Sequence, residues 1–518
     1  MRRRVRMIAV GIVCLLAAAV TAQVLTQHND SARTGENLGE TVLNVLNVNV
    51  NQFGKLFTEA VDGQIYAQPL YVPNVVVSGL TRNVVVVATE HNSVFAIDAD
   101  ATAPSTPLWQ MNLGPSVPSG DIANWCRNIW PEIGVTSTPV IDPVGGTVYV
   151  VAMSKELVGA SYQYFHRLHA LDLATGAEKF GGPVDIQATV PGSGDGGSTV
   201  AFTPIKQLNR PGLLLSNGVV FVAFASHCDI QPYHGWVFGY AAGTLQRVAV
   251  LNTTPNGAEG GIWQSGNGLM ADAGGSVYAM TGNGTFDANG GGPDYGDTVL
   301  KLATGSLTVT DWFTPGNQKT LNQQDLDLGT GGPVGLPGTS NLVGVSKQGM
   351  LYVLNTGNLG HFTNQNRQIP QSFRAANGGL FGSPVYWNGL LYLAGAGDVV
   401  RAYKVVSGLL QTRAVSQSTF AAPFPGGILA VSANGNTAGT GILWVVTPDS
   451  DASTGGGVSG TLHALSAADL TKELWNSKMN AVRDALGNYV KFNPPTVAAG
   501  KVYMATLSGY LAVYGLLP

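Results

Sequence analysis

Thr147-Val148-Tyr149-Val150 and, further along, Leu168-His169-Ala170-Leu171-Asp172-Leu173-Ala174-Thr175-Gly176 carry the pattern that decides the fold. β-Branched and aromatic residues recurring at period two are strand chemistry, and the Thr-Gly pair marks the turn that ends the second strand. The first segment returns at Val84–Val87, Val219–Val222, Ser276–Ala279, Asn341–Gly344, Leu390–Leu393, Ile442–Val445 and Lys501–Met504, which makes eight copies. Each is followed by a partner of the second kind, at Val94–Asp98, Trp236–Tyr240, Val299–Leu302, Leu351–Asn355, Val400–Tyr403, Leu462–Leu465 and Leu511–Tyr514. Several units then run through a turn to an aromatic residue: Trp109, Phe180, Trp312 or Trp475. Several open on a proline, a residue suited to a strand start or edge: Pro69, Pro139, Pro204, Pro333, Pro384 and Pro495.

Each unit thus supplies about four short antiparallel strands, a sheet that cannot bury both faces alone. Packing the repeats around an axis buries those faces. The expected fold is therefore all-β: an eight-bladed β-propeller of four-stranded antiparallel blades. The last unit ends after Tyr514 without a fourth strand, so Phe53-Gly54-Lys55-Leu56-Phe57-Thr58 is expected to close the ring as the outer strand of the last blade. The stretch from Ala467 to Leu474 fits a short helical turn or a blade connection equally well.

The totals agree with that reading. The chain has 518 residues, of which 68 are Gly and 27 Pro, with 11% charged and 45% hydrophobic. This excludes a disordered or coiled-coil protein. Arg2, Arg3, Arg4 and Arg6 precede the apolar run Ile8 to Val20, and Val20-Thr21-Ala22 offers a small-residue cleavage site. The expected organisation is a signal peptide at 1–22, an N-terminal extension at 23–43 and a single propeller at 44–518, secreted or periplasmic and monomeric, with no membrane span in the mature chain. Without the four leader arginines the chain carries 23 basic and 31 acidic residues, a net charge of −8. No nucleic-acid surface is expected from that balance. Cys126 and Cys228 remain after processing. In an oxidising compartment they read as a disulfide, and otherwise as two buried thiols.

The unit "strand, Gly-turn, Leu-x-Ala-Leu-Asp, Thr-Gly, Trp" resembles the pyrroloquinoline-quinone (PQQ) type propeller repeat over nearly all of the mature chain. Proteins with that repeat include the quinoprotein alcohol dehydrogenases, which bind PQQ and Ca²⁺ on the propeller axis, and the propeller lipoprotein that scaffolds outer-membrane protein assembly. Gly260-Gly261-Ile262-Trp263 is similar to the segment whose Trp forms the floor under PQQ. Thr281-Gly282-Asn283-Gly284 resembles the turn whose Asn ligates Ca²⁺, and Lys347-Gln348-Gly349-Met350 the strand whose cation contacts the quinone oxygens. The set makes chemical sense: a planar quinone needs an aromatic face, a hard cation needs oxygen ligands, and a carbonyl gaining charge needs a cation beside it.

The chain also departs from that pattern. Only Cys126 stands where the family often has two adjacent cysteines. No Glu occurs in Ser226-His227-Cys228-Asp229, and Ala303 follows the strand expected to precede the catalytic Asp. The resemblance therefore passes the carboxylate roles to Asp229 and Asp297. Separately, Asp287-Ala288-Asn289-Gly290-Gly291-Gly292-Pro293-Asp294 has oxygen ligands in a glycine-rich loop, and Asp287, Asn289 and Asp294 could hold Ca²⁺ there. Gly192-Ser193-Gly194-Asp195-Gly196-Gly197 matches G-x-G-x-x-G but no helix pattern follows it, which excludes a dinucleotide loop. Two functions stay open: a binding or scaffold propeller with a degenerate quinoprotein centre, holding a protein, glycan or small molecule, and a PQQ- and Ca²⁺-dependent dehydrogenase of alcohols or sugars.

Overall fold

The structure, a computed structural model, describes residues 22–453 and 457–518. The expected leader lies, except for Ala22, outside the described residues. Eight small antiparallel sheets form a propeller ring, and the first strands of neighbouring blades touch around the axis. Blade one comprises Leu70–Val77, Leu80–Ala88, Ser93–Asp98 and Trp109–Asn112. The inner strands of blades two to eight begin at Val140, Leu214, Met270, Val334, Val385, Ile428 and Thr496. Pro69, Pro139, Pro333, Pro384 and Pro495 each stand one residue ahead of an inner strand, where no ladder hydrogen bond is lost. Pro204 opens a 3₁₀ turn instead.

Every repeated segment read from the sequence falls in the second or third strand of its blade. The alternation has the expected cause. Val85, Val87, Val94, Ala96, Tyr278, Leu300, Trp444 and Ala464 are at or near zero exposure, packed between adjacent blades. Phe180 is the exception among the aromatic markers: it sits in a turn at positive φ, and the outer strand of its blade is Val184–Asp185. Ala467 to Lys472 links the third and fourth strands of blade seven, Glu473 and Leu474 open that fourth strand, and among the described residues the two short helices lie instead at Gln318–Gln323 and Ala481–Asp484.

Phe53–Ala60 pairs antiparallel with the last strand, Tyr510–Leu516, from Phe53 opposite Leu516 to Ala60 opposite Tyr510. It supplies the outer strand of blade eight, so the two ends of the ring are joined by a ladder. Phe53 is fully buried against Trp444 and Trp475, at ring-centroid distances of 5.5 and 5.0 Å. This strand therefore also ties blade eight to blade seven.

The segment before it behaves in an unexpected way. Residues 24–37 visit the inner strands of all eight blades. Val24 bridges Tyr71 in blade one, and the Leu25 carbonyl accepts the Ile141 N–H in blade two. Arg33 donates to the Leu213 carbonyl beside blade three. The carbonyls of Ser31, Ala32 and Thr34 accept N–H bonds from Ala271, Gly335 and Tyr386 in blades four, five and six. Glu36–Asn37 pairs parallel with blade seven, and the Asn37 side chain donates to the Val497 carbonyl of blade eight. The extension is thus an axial plug. Arg33 anchors it, fully buried, donating also to Leu269 O, Thr26 Oγ1 and Gln27 O at 2.6–2.9 Å.

Candidate functional site

The segments leading into the inner strands of blades three to eight surround a cavity of about 240 Å³ on the propeller axis. The plug closes the channel beneath it: Gln27 Oε1 accepts the Gly268 N–H at 3.1 Å, and a Cβ on Gly212 would meet the Gln27 side chain. Trp263, Lys347 and Asp229, three residues singled out from the sequence, line this one cavity.

Trp263 sits on the connection from blade three to blade four. Gln264, Ser265 and Gly266 that follow are all at positive φ, and the turn is locked by the buried Gln264 side chain. Its amide donates to the carbonyls of Asn267 and Gly268 and accepts the Met280 N–H. The indole is thereby fixed at the end of a rigid turn. Gly282 is required beside it, because a Cβ there would lie 2.4 Å from Asp327 Oδ1 and 3.0 Å from Trp263 Cδ1.

Asp325 and Asp327 were not singled out in the sequence, yet they complete the acidic side of the cavity. They follow the helix Gln318–Gln323 in the connection from blade four to blade five. Asn283 joins them. Its backbone N–H donates to Asp327 Oδ1 and its side-chain amide to Asp325 Oδ1, both at 2.9 Å. Asn283 Oδ1 is buried and has no partner among the described residues. Lys347 reaches Asp325 Oδ2 at 2.7 Å and Asp327 Oδ2 at 3.4 Å. Burial acts to lower the Lys347 pKa, but the charges of Asp327 and Asp325 prevail and it is raised. Burial raises Asp327, with Lys347 pulling the other way. Burial and the charge of Asp327 raise Asp229, whose carboxylate accepts the Tyr233 hydroxyl at 3.1 Å.

Asp297 lies behind this group, fully buried and outside the cavity wall. It accepts the Leu328 N–H at 3.0 Å, and burial pushes its pKa up to about 8. The loop containing Asp287, Asn289 and Asp294 lies apart from the cavity. Asp287 Oδ1 accepts the Asp294 N–H within the loop, and Asp294 Oδ1 accepts the Asn256 N–H, so one carboxylate holds the loop's own backbone and the other ties it to the connection after blade three. Among the described residues, no three His, Cys, Asp or Glu side chains are grouped as for a metal ion, and Asn283 is the non-acidic oxygen in the axial set. A disulfide joins Cys126 to Cys228 across 102 residues. It links the loops that carry Asn128 and Asp229 into the cavity wall.

The rest of the lining is cationic and aromatic: Arg210, Lys491, Phe381, Phe424 and Phe492. The available signal for the missed carboxylates was the Asp325-Leu326-Asp327 spacing just before Gly329-Thr330-Gly331-Gly332, carboxylates at alternate positions against a glycine-rich turn. Nothing in the sequence marks Arg210 or Lys491.

No family model matches the chain, and a search of the curated proteins finds no relative. Solved structures do match. The quinohemoprotein alcohol dehydrogenase from Comamonas testosteroni is 15% identical with a TM-score of 0.62, over 96% of this chain and 81% of that one. A europium-containing methanol dehydrogenase is 14% identical with a TM-score of 0.61, over 96% and 98%. BamB from Moraxella catarrhalis is 13% identical with a TM-score of 0.51, over 89% and 99%. In its fold, then, this chain is an eight-bladed propeller like those of the quinoprotein dehydrogenases and of BamB.

Proposed function

We propose that the axial cavity binds a tricyclic quinone of the PQQ type together with a hard metal ion, and that the protein oxidises an alcohol or sugar hydroxyl there as a secreted or periplasmic enzyme. The observation that carries this reading is Asn283 Oδ1, buried without a donor between two carboxylates. Leaving such an oxygen unpaired costs about 1–3 kcal/mol, and a hard cation is satisfied by oxygen ligands. Asn283, Asp325 and Asp327 would hold the cation, Trp263 would lie along the quinone face, and Lys347 would stand at its oxygens. When bound, these groups supply a two-electron acceptor with a polarised carbonyl.

The chain's own residues do the rest. Asp229, held by the Tyr233 hydroxyl, accepts the proton of the substrate hydroxyl, and its raised pKa brings it nearer a general base's working range. Asp297 is a positioning residue: it grips Leu328 N–H and so fixes the loop that carries Asp327. The plug keeps water from entering along the axis.

Two of the structural neighbours are named as alcohol or methanol dehydrogenases, and one contains europium. The test therefore uses both Ca²⁺ and a trivalent lanthanide. Mature protein is titrated with PQQ in the presence of each, following quinone absorbance and melting temperature. A ligand of the folded state raises the melting temperature, and binding should be saturable, metal-dependent and lost in Asn283→Ala and Lys347→Ala. No shift at PQQ well above micromolar concentration refutes the reading. A second reading, a binding scaffold, draws on apolar side chains exposed on the blade-two hairpin and on the loop before it. Trp125, Leu157 and Tyr162 are 68%, 63% and 62% exposed, and the Lys155–Asp121 pair ties the long blade-two hairpin to the loop that bears Trp125.

A further inference from the structure

Arg210 lies on the connection into blade three, 7% exposed, in the cavity wall. Its guanidinium is held between two rings, 5.5 Å from the centroid of Tyr66 and 4.8 Å from that of Phe492. Among the described residues it has no ion pair and no side-chain hydrogen bond, although it carries five donors. Glu90 is the acid that feels its charge, but Glu90 spends Oε2 on Gly134 N–H and the Thr136 hydroxyl. Its Oε1 is buried without a partner, as are the hydroxyls of Tyr66 and Tyr489. Lys491 is 9% exposed and also lines the cavity, with the Ser453 carbonyl at 3.0 Å as its described partner. A buried, unspent cation is costly unless a ligand pairs it.

Charge is divided across the cavity. Asp325, Asp327 and Lys347 enter from blades four and five, and Lys491 from the approach to blade eight, on the other side of an eight-membered ring. Neither Arg210 nor Lys491 pairs with the acidic group. Beside them Phe381 and Phe492 lie nearly parallel, 21° apart at 6.4 Å, with Phe424 edge-on to Phe381 at 4.9 Å. Flat apolar walls meet two unpaired cations.

We infer that Arg210 and Lys491 form a carboxylate subsite for a flat ligand whose far end reaches Asn283 and Lys347. This deepens the proposed function but does not depend on quinone chemistry. The carboxylate has two sources: the cofactor, which is itself a tricarboxylate, or a substrate that carries an acid group.

The experiment uses full-length mature protein, wild type and the Arg210→Met, Arg210→Lys and Lys491→Gln variants. The first probe is benzene-1,2,4-tricarboxylate, which has neither a quinone nor a hydroxyl to oxidise. Wild type is expected to bind it in calorimetry without added metal, and Arg210→Met and Lys491→Gln to weaken binding about tenfold or more, the loss of one charge-assisted hydrogen bond. Arg210→Lys should recover part of the affinity. PQQ is then compared with its trimethyl ester, which assigns the subsite to the cofactor if the ester binds about tenfold or more weaker to wild type only. If PQQ affinity is unchanged in Arg210→Met while the KM of a hydroxy acid rises and that of a neutral alcohol does not, the subsite belongs to the substrate.

The ligand-free melting temperature separates this from a structural role. Removing an unpaired buried charge should raise it in Arg210→Met, whereas a structural arginine would lower it. Failure of wild type to bind the tricarboxylate, or equal binding by all variants, overturns the subsite. PQQ failing to bind while the tricarboxylate does overturns only the quinone reading.

Discussion

Replacing Arg33 with Met should release the axial plug while leaving the blades folded. The guanidinium makes four hydrogen bonds, to Leu269 O, Thr26 Oγ1, Gln27 O and Leu213 O, and is fully buried. Bonds to a charged donor contribute about 1.5–3 kcal/mol each, and removing the buried charge returns several kcal/mol of desolvation, so the net loss is about 4 kcal/mol. Burial already lowers the Arg33 pKa to about 10, a sign of that opposing cost.

The plug carries its own reporters. The amides of Ile141, Ala271, Gly335, Tyr386 and Val431 all donate to plug carbonyls at 2.8 Å. If the plug opens locally, hydrogen-exchange protection at these five amides should fall about a thousandfold, since every 1.4 kcal/mol is a factor of ten. The Val222–Phe238 ladder in the middle of blade three should keep its protection. Unchanged exchange at the five amides would show that Arg33 does not hold the plug, and an equal fall throughout the blades would show that plug and ring are one cooperative unit.

Phe53→Ala should cost about 3–5 kcal/mol, the range for emptying a buried Phe site, and an unchanged urea midpoint would show that the closing strand bears no load. Replacing both Cys126 and Cys228 with Ser should lower stability by about 4–5 kcal/mol, as expected for freeing a loop of 102 residues, read from denaturant unfolding beside the oxidised protein. Stability of the ligand-free chain should peak between about pH 4.5 and 6.5. Burial depresses His28 and His166 to about 4 and His227 to about 3, so their contribution is complete above the unfolded value of 6.5 and is lost as pH falls through the folded values. Burial raises Glu36 and Asp297 to about 8 and Glu90 to about 7, so theirs is complete below the unfolded carboxyl values and is lost as pH rises through 7 to 8. A urea midpoint that rises steadily from pH 5 to 8 would contradict this balance.

How much of this was legible in the sequence follows from which interactions are periodic. Blade strands bury alternate side chains against neighbouring blades, so Val84–Val87 and Leu462–Leu465 announce themselves by period and residue type. The closing strand was legible for the same reason, since the last repeat lacked a strand and Phe53–Thr58 supplied one. The site is only partly periodic. Trp263, Asn283 and Lys347 could be found because they sit in segments that resemble a known family, and Asp229 because it is the carboxylate nearest the place where that family carries a Glu. Asp325 and Asp327 belong to a non-repeating connection, and the expected position after Val299–Leu302 drew attention to Asp297, which lies behind the wall. Arg210 and Lys491 owe their chemistry to what fails to pair with them, which is a property of three-dimensional packing. The plug escaped notice because its bonds are made through backbone carbonyls, whose partners no side-chain pattern reveals.

The plug and the closing strand together reverse the usual relation between the order in which a chain emerges and the order in which it settles. Residues 24–37 are made before the blades they bind: their partners run from Tyr71 to Val497, and Phe53–Ala60 must wait for Tyr510–Leu516. Contacts of such sequence separation are slow to form, because the intervening loop must close before they reward it. These early residues are therefore the last to find their place, and until blade eight has been made the ring of inner strands that receives them is incomplete.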